Sequence, residues 1–177
     1  IGASSGRHIL GWSEGGNLRL EEVYRFENKL VTKNGRLCWD MEHLVEEVLR
    51  GLERCREFSK IPDSVGIDTW AVDYVLLDKE GGVLGDTVAY RDSRTQGMDR
   101  LVEGLIPAQE LYARTGIQKQ DFNTIYQLMA VKTQQPELLE QAQRLLMVPE
   151  YLTYRLTGKM ESEYTKGSTT GLVNAQT

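Results

Sequence analysis

The sequence predicts an α/β fold in which short strands come first and helices alternate with strands afterwards. Three observations lead to this class. Glycine-centred turns divide the first 40 residues into short apolar runs, an apolar stripe of helical period follows, and the second half alternates helical and strand patterns. This order is typical of a mixed α/β layer architecture. With 177 residues, 40% of them apolar, the chain can form one good core, and we expect one domain or most of one.

The first elements are predicted to be one hairpin, a further apolar run that ends at a turn, and a helix. The segments RHILGW and LRLEEVYRF flank Gly15-Gly16-Asn17, where the glycines allow a tight reversal. A third apolar run over 29–32 leads to a turn at Lys33-Asn34-Gly35. Asp40 can then cap a helix. Its apolar residues have i, i+3, i+4 and i+7 spacing, which places them on one face: Met41, Leu44, Val45, Val48, Leu49, Leu52 and Cys55.

The middle of the chain is predicted to be extended and the second half mostly helical. We expect SVGIDTW (64–70) to be a buried strand, followed by a hairpin of AVDYVLLD and VLGDTVAY. RLLMV (144–148) predicts one more buried strand. Three helices are bounded by their own punctuation: Pro107 to Gly116, a helix capped by Asn123, and Pro149 to Gly158.

Composition excludes several classes of partner. The net charge is −5, and the basic residues are dispersed, which argues against nucleic acid and acidic membrane surfaces. No apolar stretch approaches the roughly 18 residues of a membrane span, and no signal peptide is visible. Cys38 and Cys55 have neither metal-ligand nor disulfide-framework spacing, so we expect reduced thiols in a cytoplasmic protein.

The opening segment IGASSGR has the chemistry of an anion site. Gly2 and Gly6 let backbone amides turn inward, Ser4 and Ser5 add hydroxyl donors, and Arg7 adds a positive charge. The segment is not a P-loop, because the G-x-x-x-x-G-K-[ST] spacing is absent and no helix follows. A plain turn between strands is the alternative, and on local chemistry it is the commoner case.

The segment GIDTWAVDYVLLD combines acidic and aromatic groups. Asp68 and Asp73 flank Trp70, and ionised carboxylates accept strong hydrogen bonds from hydroxyls. A tryptophan ring offers an apolar wall for the C–H faces of a sugar. A core tryptophan between two turn aspartates explains the same letters, and the stretch alone favours that interpretation.

A short loop, YRDSRT, concentrates charge after the second hairpin. Arg91, Asp92 and Arg94 either form a mutual ion-pair cluster that fixes the loop, or leave one arginine free to reach a ligand. His8 and His43 have no acid and nucleophile at a recognisable spacing, so we expect structural or solvent-facing roles. No Ser-His-Asp, H-E-x-x-H, EF-hand or zinc pattern occurs.

In this order, several segments resemble the FGGY family of bacterial sugar kinases over essentially the whole chain. They are IGASSGR, NGRLCWD, VGIDTWAVDYVLLD, VAYRDSRTQGM, YARTGIQ, FNTIYQL, RLLMVPEYLTYRLTGKMESEYT and TTGLVN. The combination of DTWAVD with YRDSRT is similar to the kinases of L-rhamnulose rather than to those of glycerol or xylulose. The resemblance implies a ribonuclease-H-like domain, of the actin and hexokinase type, with a mixed sheet flanked by helices. In such kinases two domains enclose ATP.

The resemblance also implies roles for individual residues. The first phosphate loop, which holds ATP, would consist of Ala3, Ser4, Ser5, Gly6 and Arg7. The ketose pocket would be lined by Trp70, Ala71 and Asp73, where Ala71 stands at a position more usually occupied by glycine. The helix start at Asn123, Thr124 and Tyr126 would face the cleft and is a weaker candidate.

The resemblance places the remaining catalytic parts outside residues 1–177. An aspartate that helps to position Mg²⁺ would directly precede Ile1, and the catalytic aspartate would lie beyond Thr177, in a His-Asp-Thr segment. We therefore expect residues 1–177 to be most of the N-terminal domain, with a truncated first strand and no C-terminal domain. We expect no catalytic residue in the chain, no metal ligand, and no activity from it alone.

The expected activity is the ATP- and Mg²⁺-dependent phosphorylation of L-rhamnulose at its C1 hydroxyl, in the cytoplasm. The partners would be a ketose, ATP and the C-terminal domain of the same protein, without nucleic acid or membrane. Two alternatives stay open: a kinase for another ketose such as L-fuculose, because one or two hydrogen bonds can set stereochemical choice, and a non-catalytic sugar- or nucleotide-binding module.

Overall fold

The computed structural model describes residues 1–176, which form two compact units. The first unit consists of Ile1–Lys29 and Asp40–Trp70, and the second of residues 30–39 and the chain from Ala71 onward. No helix among residues 1–176 combines the length and the apolar character that crossing a membrane requires.

The first unit is a long hairpin packed against one helix. Strands β1 (Ser5–Glu14) and β2 (Asn17–Glu27) pair antiparallel around the predicted glycine turn, and helix α1 (Met41–Arg54) packs against both strands. The carboxylate of Asp40 accepts a hydrogen bond from the backbone N–H of His43, which caps α1. The predicted hairpin and cap are therefore confirmed.

Close approach between α1 and β1 depends on a glycine. A Cβ at Gly51 would lie 2.3 Å from the imidazole ring of His8, so the ring can rest on the helix only because residue 51 has no side chain. Apolar side chains from β1, β2 and α1 contribute to the core of this unit: Leu10, Phe26, Leu44, Val45 and Val48.

The predicted buried strand at 64–70 does not occur. None of the assigned strands includes these residues, and most side chains from Ile61 to Asp68 are exposed, including Val65. A strand exists only when a neighbouring strand pairs with its backbone, and among residues 1–176 no strand pairs with this segment. An apolar run alone was therefore insufficient evidence, and the prediction is wrong.

The second unit contains one short hairpin and a three-stranded sheet. Strands β3 (Leu30–Lys33) and β4 (Arg36–Trp39) form the hairpin. Strand β5 (Tyr74–Leu77), buried along its whole length, lies between β6 (Val83–Leu84) and β7 (Arg144–Met147). The predicted turn at 33–35, the predicted hairpin in residues 71–90 and the predicted strand at 144–148 are confirmed, and the pairing of β4 with β3 was not predicted. All strand pairs assigned in residues 1–176 are antiparallel, so the parallel pairing that a mixed sheet implies is not present among them.

The described part of the second unit also contains helices α2 to α7. Their bounds are α2 Met98–Glu103, α3 Ala108–Thr115, α4 Thr124–Gln134, α5 Pro136–Gln141, α6 Val148–Thr157 and α7 Tyr164–Gly167. Gly116 and Gly158 end α3 and α6 in the left-handed conformation, as predicted. Asn123 does precede α4, but its side-chain amide donates to the carbonyl of Gln118 and does not cap the helix.

Candidate functional site

The first candidate region is the opening turn, residues 2–7, which is fixed by an asparagine at the end of β2. Asn28 is buried, and its side-chain Nδ2 donates to the carbonyl of Gly2 at 2.9 Å. Its backbone N–H donates to the carbonyl of Ser4 at 3.0 Å, and the N–H of Gly2 closes the turn on the carbonyl of Ser5 at 2.8 Å. The backbone of the opening turn is therefore held from within the first unit.

Gly6 is required here by packing. A Cβ at this position would lie 2.1 Å from the ring of Phe26, a distance that no side chain can occupy. The close approach lets β1 begin directly beneath the turn. Glycine at residue 6 is thus explained without any ligand.

The opening turn contains three side chains that can donate hydrogen bonds, those of Ser4, Ser5 and Arg7. Ser4 and Arg7 are exposed and Ser5 is partly exposed. Within residues 1–176, none of these three side chains makes a hydrogen bond or an ion pair. Ala3, also partly exposed, directly precedes them. Two hydroxyls and a guanidinium within four residues, on a fixed backbone, have the donor chemistry that binds the oxygens of an anion.

A cavity of about 370 Å³ lies beside this turn within the first unit. Its wall includes Arg7, His8 and Trp12 together with the segment 60–68. The ring nitrogens His8 Nδ1 and Trp12 Nε1 are buried there without a hydrogen-bond partner in the part of the chain that the structure describes. Burial is the main cause that lowers the pKa of His8, and the Val48 carbonyl opposes it. Trp70, the last residue of this unit, is partly exposed, and its carbonyl accepts a hydrogen bond from the hydroxyl of Thr69.

The second candidate region is the Val72 turn, residues 71–73, in the second unit. Val72 has φ +70°, in the left-handed region that a β-branched residue rarely adopts. Its carbonyl accepts hydrogen bonds from Thr124 Oγ1 at 2.7 Å and Gln127 Nε2 at 3.2 Å. Ala71, before it, is partly exposed. This strained backbone could not be predicted from the sequence, because valine is not a residue that indicates a positive φ.

Asp73 is completely buried, with 0% of its surface exposed. Its Oδ2 accepts from the indole N–H of Trp39 at 2.6 Å and from the backbone N–H of Tyr90 at 3.1 Å. Its Oδ1 accepts from Gln127 Nε2 at 2.8 Å. Both oxygens therefore hold protein donors from three separate segments. Contact between Asp73 and a sugar stays a prediction, while its role as an anchor is visible in the structure.

Two of the residues that donate to Asp73, Trp39 and Tyr90, belong to a cluster of aromatic rings. Tyr90 lies 6.5 Å from Trp39 and 5.7 Å, edge to face, from Phe122, measured between ring centroids. Arg91 is exposed and lies over the ring of Tyr90, with its Nε donating to the Tyr90 hydroxyl. Sequence reasoning missed this cluster. Each ring is an isolated aromatic residue in the sequence, and only tertiary structure brings the three together.

The charged loop at 91–94 is organised by partners from elsewhere. Asp92 is buried, caps the following turn through the N–H of Arg94, and pairs with Arg36 at 3.3 Å. Arg94 Nη2 donates to Gln127 Oε1 at 2.9 Å. Gln127 therefore joins the guanidinium of Arg94 to the carboxylate of Asp73. The predicted ion-pair cluster among Arg91, Asp92 and Arg94 is wrong. The cation that pairs with Asp92 is Arg36, which belongs to β4.

Two further cavities lie inside the second unit. The cavity of about 390 Å³ is bordered by Tyr74 and Arg94, and burial raises the pKa of the Tyr74 hydroxyl to about 12. The cavity of about 450 Å³ is bordered by Asn123 and Tyr126. Asn123, Thr124 and Tyr126 are all buried, and burial raises the pKa of Tyr126. Their predicted cleft-facing role stays a prediction.

Within residues 1–176, no three His, Cys, Asp or Glu side chains group closely enough to bind a metal ion. Mg²⁺ that accompanies a nucleotide is usually held by one or two carboxylates, by phosphate oxygens and by water. No residue of this chain is assigned to it.

Comparison with known proteins gives one consistent answer. Residues 1–177 match the N-terminal domain of the FGGY family of carbohydrate kinases. Rhamnulokinases from Oceanobacillus iheyensis and Halalkalibacterium halodurans are each 51% identical to the whole chain, which spans 38% of either relative. The rhamnulokinase of Klebsiella pneumoniae is 49% identical over 98% of the chain, which covers 36% of that relative.

Solved structures show the same fold. Xylulose kinase from Lactobacillus acidophilus superimposes with a TM-score of 0.86 at 21% identity, over 100% of this chain and 36% of that one. Plasmodium falciparum glycerol kinase gives 0.77 at 13% identity, over 99% of this chain and 37% of that one. The α/β, actin- and hexokinase-like fold predicted from the sequence is confirmed.

Proposed function

Because this chain belongs to the FGGY family of carbohydrate kinases, we propose that it is the N-terminal part of a longer enzyme that phosphorylates L-rhamnulose with ATP. The C1 hydroxyl oxygen bonds to the γ-phosphorus, the bond from that phosphorus to the oxygen of ADP breaks, and L-rhamnulose 1-phosphate results. The observation that carries this proposal is 49–51% identity to three rhamnulokinases over 98–100% of the chain. Because the reaction consumes ATP, we place the enzyme in the cytoplasm.

The opening turn is proposed to hold the phosphates of ATP. Its support is the set of donor side chains that make no hydrogen bond or ion pair within residues 1–176, on a backbone that Asn28 keeps in place. Phosphoryl transfer depends chiefly on alignment and on neutralising charge. Ser4, Ser5 and Arg7 would supply hydrogen bonds and positive charge, and Ala3 and Gly6 would keep the backbone close to the phosphates.

Trp70, Ala71 and Asp73 are proposed to serve the ketose. Trp70 and Ala71 both keep part of their surface exposed, as a binding residue needs. Asp73 has no exposed surface, so its effect on the ketose would pass through the backbone that it anchors. The methyl group of Ala71 would narrow the pocket relative to the glycine expected from the family resemblance.

The remaining parts of the reaction are proposed to lie in the longer protein. The chain spans 36–38% of the three curated relatives compared above, so more than half of such an enzyme is outside residues 1–177. That part would contain the aspartate that accepts the C1 hydroxyl proton and the adenine-binding domain. Bound Mg²⁺ would neutralise charge on the ATP phosphates. Residues 1–177 alone would be inactive.

A strand preceding Ile1 is also part of the proposal. The cavity of about 370 Å³ in the first unit lies between β1 and the segment 60–68, where such a strand would pair. The terminal amine of Ile1 already donates to the carbonyl of Asp68 at 2.7 Å. In the longer protein this nitrogen would be a backbone N–H, and the residues before Ile1 would extend the chain as a strand beside the segment 60–68.

The test is substrate turnover by the protein of the full reading frame. Purified enzyme with ATP and Mg²⁺ is given L-rhamnulose, L-fuculose or L-xylulose, and ADP release and the phosphorylated carbon are measured. We expect the highest kcat/KM for L-rhamnulose, with phosphate on C1. Higher kcat/KM for L-fuculose would assign a neighbouring ketose instead. Binding of sugar or nucleotide without any turnover would identify a non-catalytic module.

A further inference from the structure

The backbone at Val72 is the least expected conformation in the second unit. Three non-glycine residues of the described chain have positive φ: Asn34, Ser59 and Val72. Asparagine often adopts this conformation in turns, whereas valine, with two branches at Cβ, is strongly disfavoured there. Such a residue keeps its conformation only where its surroundings enforce it.

Two buried donors on one face of α4 supply that enforcement. Thr124 and Gln127 are three residues apart on the helix, and both donate to the carbonyl of Val72. Thr124 is 0% exposed and Gln127 is 1% exposed, so neither donor has water as an alternative partner. Gln127 Nε2 also donates to Asp73 Oδ1 at 2.8 Å, which fixes the next residue of the turn, and to the carbonyl of Phe122 at 3.0 Å. Its two hydrogens therefore serve three acceptors, and because the contact to Val72 is the longest, Thr124 is the stronger donor to the Val72 carbonyl.

We propose that Thr124 and Gln127 are positioning residues for the ketose. They hold the Val72 carbonyl, keep Val72 left-handed, and thereby set the direction in which Ala71 presents its backbone and methyl group. The inference rests on the proposed function, which places Ala71 against the ketose. Neither residue needs to touch the sugar, because the helix acts through the backbone of the turn.

The first test replaces the threonine hydroxyl in the full-length enzyme. Thr124→Val keeps the shape of the side chain and removes the donor, so the turn can relax toward negative φ. We expect KM for L-rhamnulose to rise about tenfold, the value of one lost buried hydrogen bond. KM for ATP should stay within about twofold, and Thr124→Ser should restore the wild-type KM for the ketose.

Thr133→Val is the matched control. Thr133 lies on the same helix, is exposed, and donates only to carbonyls of its own helix, Met129 and Ala130, apart from a sulfur contact. It should leave both KM values unchanged. An unchanged KM for the ketose in Thr124→Val, or an equal rise in both KM values, would overturn the inference.

The second test isolates the backbone conformation. Glycine adopts φ +70° without strain and alanine does not, while both remove the isopropyl group of Val72. In the Val72→Gly background, Thr124→Val should therefore raise KM for the ketose by less than about threefold. In the Val72→Ala background, it should keep its full tenfold effect. Equal effects in both backgrounds would show that Thr124 does not act through φ of Val72.

The same double-mutant cycles are followed by urea unfolding, which requires no activity. The clamp is the pair of hydrogen bonds from Thr124 and Gln127 to the Val72 carbonyl. Coupling between Thr124→Val and Val72→Gly, but not Val72→Ala, supports the clamp even if the wild-type enzyme fails to phosphorylate any ketose. In that case the proposed function fails separately. Absence of coupling in an enzyme that does phosphorylate L-rhamnulose refutes the clamp and leaves the function intact.

Discussion

The opening turn and the Val72 turn use polar groups in opposite ways. In the opening turn, the side chains of Ser4, Ser5 and Arg7 make no hydrogen bond or ion pair within residues 1–176. In the Val72 turn, the carbonyl of Val72 and both carboxylate oxygens of Asp73 each accept from buried or backbone donors. Substitutions in the first region should therefore change ligand binding at little cost in stability, whereas substitutions in the second should change both.

The largest effect is expected from Asp73→Ala. The change removes a buried acceptor shared by the indole of Trp39, the backbone N–H of Tyr90 and the side-chain amide of Gln127. We expect a loss of about 3–5 kcal/mol in the free energy of unfolding, measured by urea denaturation. In variant enzyme that remains folded, KM for the ketose should rise more than KM for ATP.

Asp121→Ala is the control for this change. Asp121 is exposed, and its side chain makes no hydrogen bond or ion pair among residues 1–176, so its removal should alter stability by less than about 0.5 kcal/mol. If Asp73→Ala were as mild as Asp121→Ala, the contrast between the two turns would be lost.

The next effect in size is expected from Arg7→Ala in the full-length enzyme. Removal of one donor to developing charge costs about 3 kcal/mol, so kcat/KM for ATP should fall by two orders of magnitude or more. The free energy of unfolding should stay within about 0.5 kcal/mol, because the side chain is exposed and makes no hydrogen bond or ion pair in the described part of the chain. Steady-state kinetics and urea denaturation measure the two quantities.

Arg56→Ala, which removes another exposed arginine of the same unit, is the comparison variant and should preserve both quantities. Ser4→Ala and Ser5→Ala should follow Arg7→Ala in direction. Nucleotide kinetics unaffected by all three changes would remove the opening turn from the ATP site.

Gly6→Ala should reverse the pattern within the opening turn itself. Its Cβ would meet the ring of Phe26 at 2.1 Å, so we expect a loss of about 1–3 kcal/mol in the free energy of unfolding. Gly11→Ala lies on the same strand, where the nearest atom is a flexible Leu20 methyl at 3.2 Å, and should cost less. Equal losses in the free energy of unfolding at both positions would mean that the different strand propensities of glycine and alanine, and not the contact with the Phe26 ring, cause the destabilisation.

Features that depend on neighbours in sequence could be predicted, and features that depend on distant partners could not. The turn before β2, the cap at Asp40 and the ends of α3 and α6 are each fixed by a few consecutive residues. The segment 64–70 failed as a strand because pairing requires a partner. The donors of Asp73 lie 17, 34 and 54 residues away along the chain, and no local pattern indicates them.

For the candidate site, the sequence likewise predicted the residue types but not their surroundings in the fold. Residue types suited to phosphate and sugar were visible in IGASSGR and GIDTWAVD. The family resemblance then assigned the first segment to ATP and the second to the ketose. Burial of Asp73 and the left-handed valine were not visible, because both arise from the packing of α4 against the turn. Sequence therefore indicates which residues carry chemistry better than it indicates how they are held.

The smallest predicted effect is on pH dependence and concerns His8, which follows the opening turn. Burial, the main cause, holds the pKa of His8 below its ordinary value of about 6.5, and its Nδ1 is buried without a partner among residues 1–176. As pH falls below about 6.5, the unfolded chain takes up a proton that the folded chain resists. The free energy of unfolding should therefore be level above that pH and should decrease below it.

Urea unfolding at pH 7.5 and 5.5 measures this decrease, and His8→Gln should reduce it by removing the group that titrates. His43→Gln, which keeps His8, should retain the decrease and is the matched control. This result sharpens the comparison between the two turns, because His8 Nδ1 has no hydrogen-bond partner among residues 1–176, whereas both carboxylate oxygens of Asp73 have one. If His8→Gln lost as much stability on acidification as the wild type, burial of the imidazole would not be the source of the pH dependence, and the carboxylates of the chain would have to account for it.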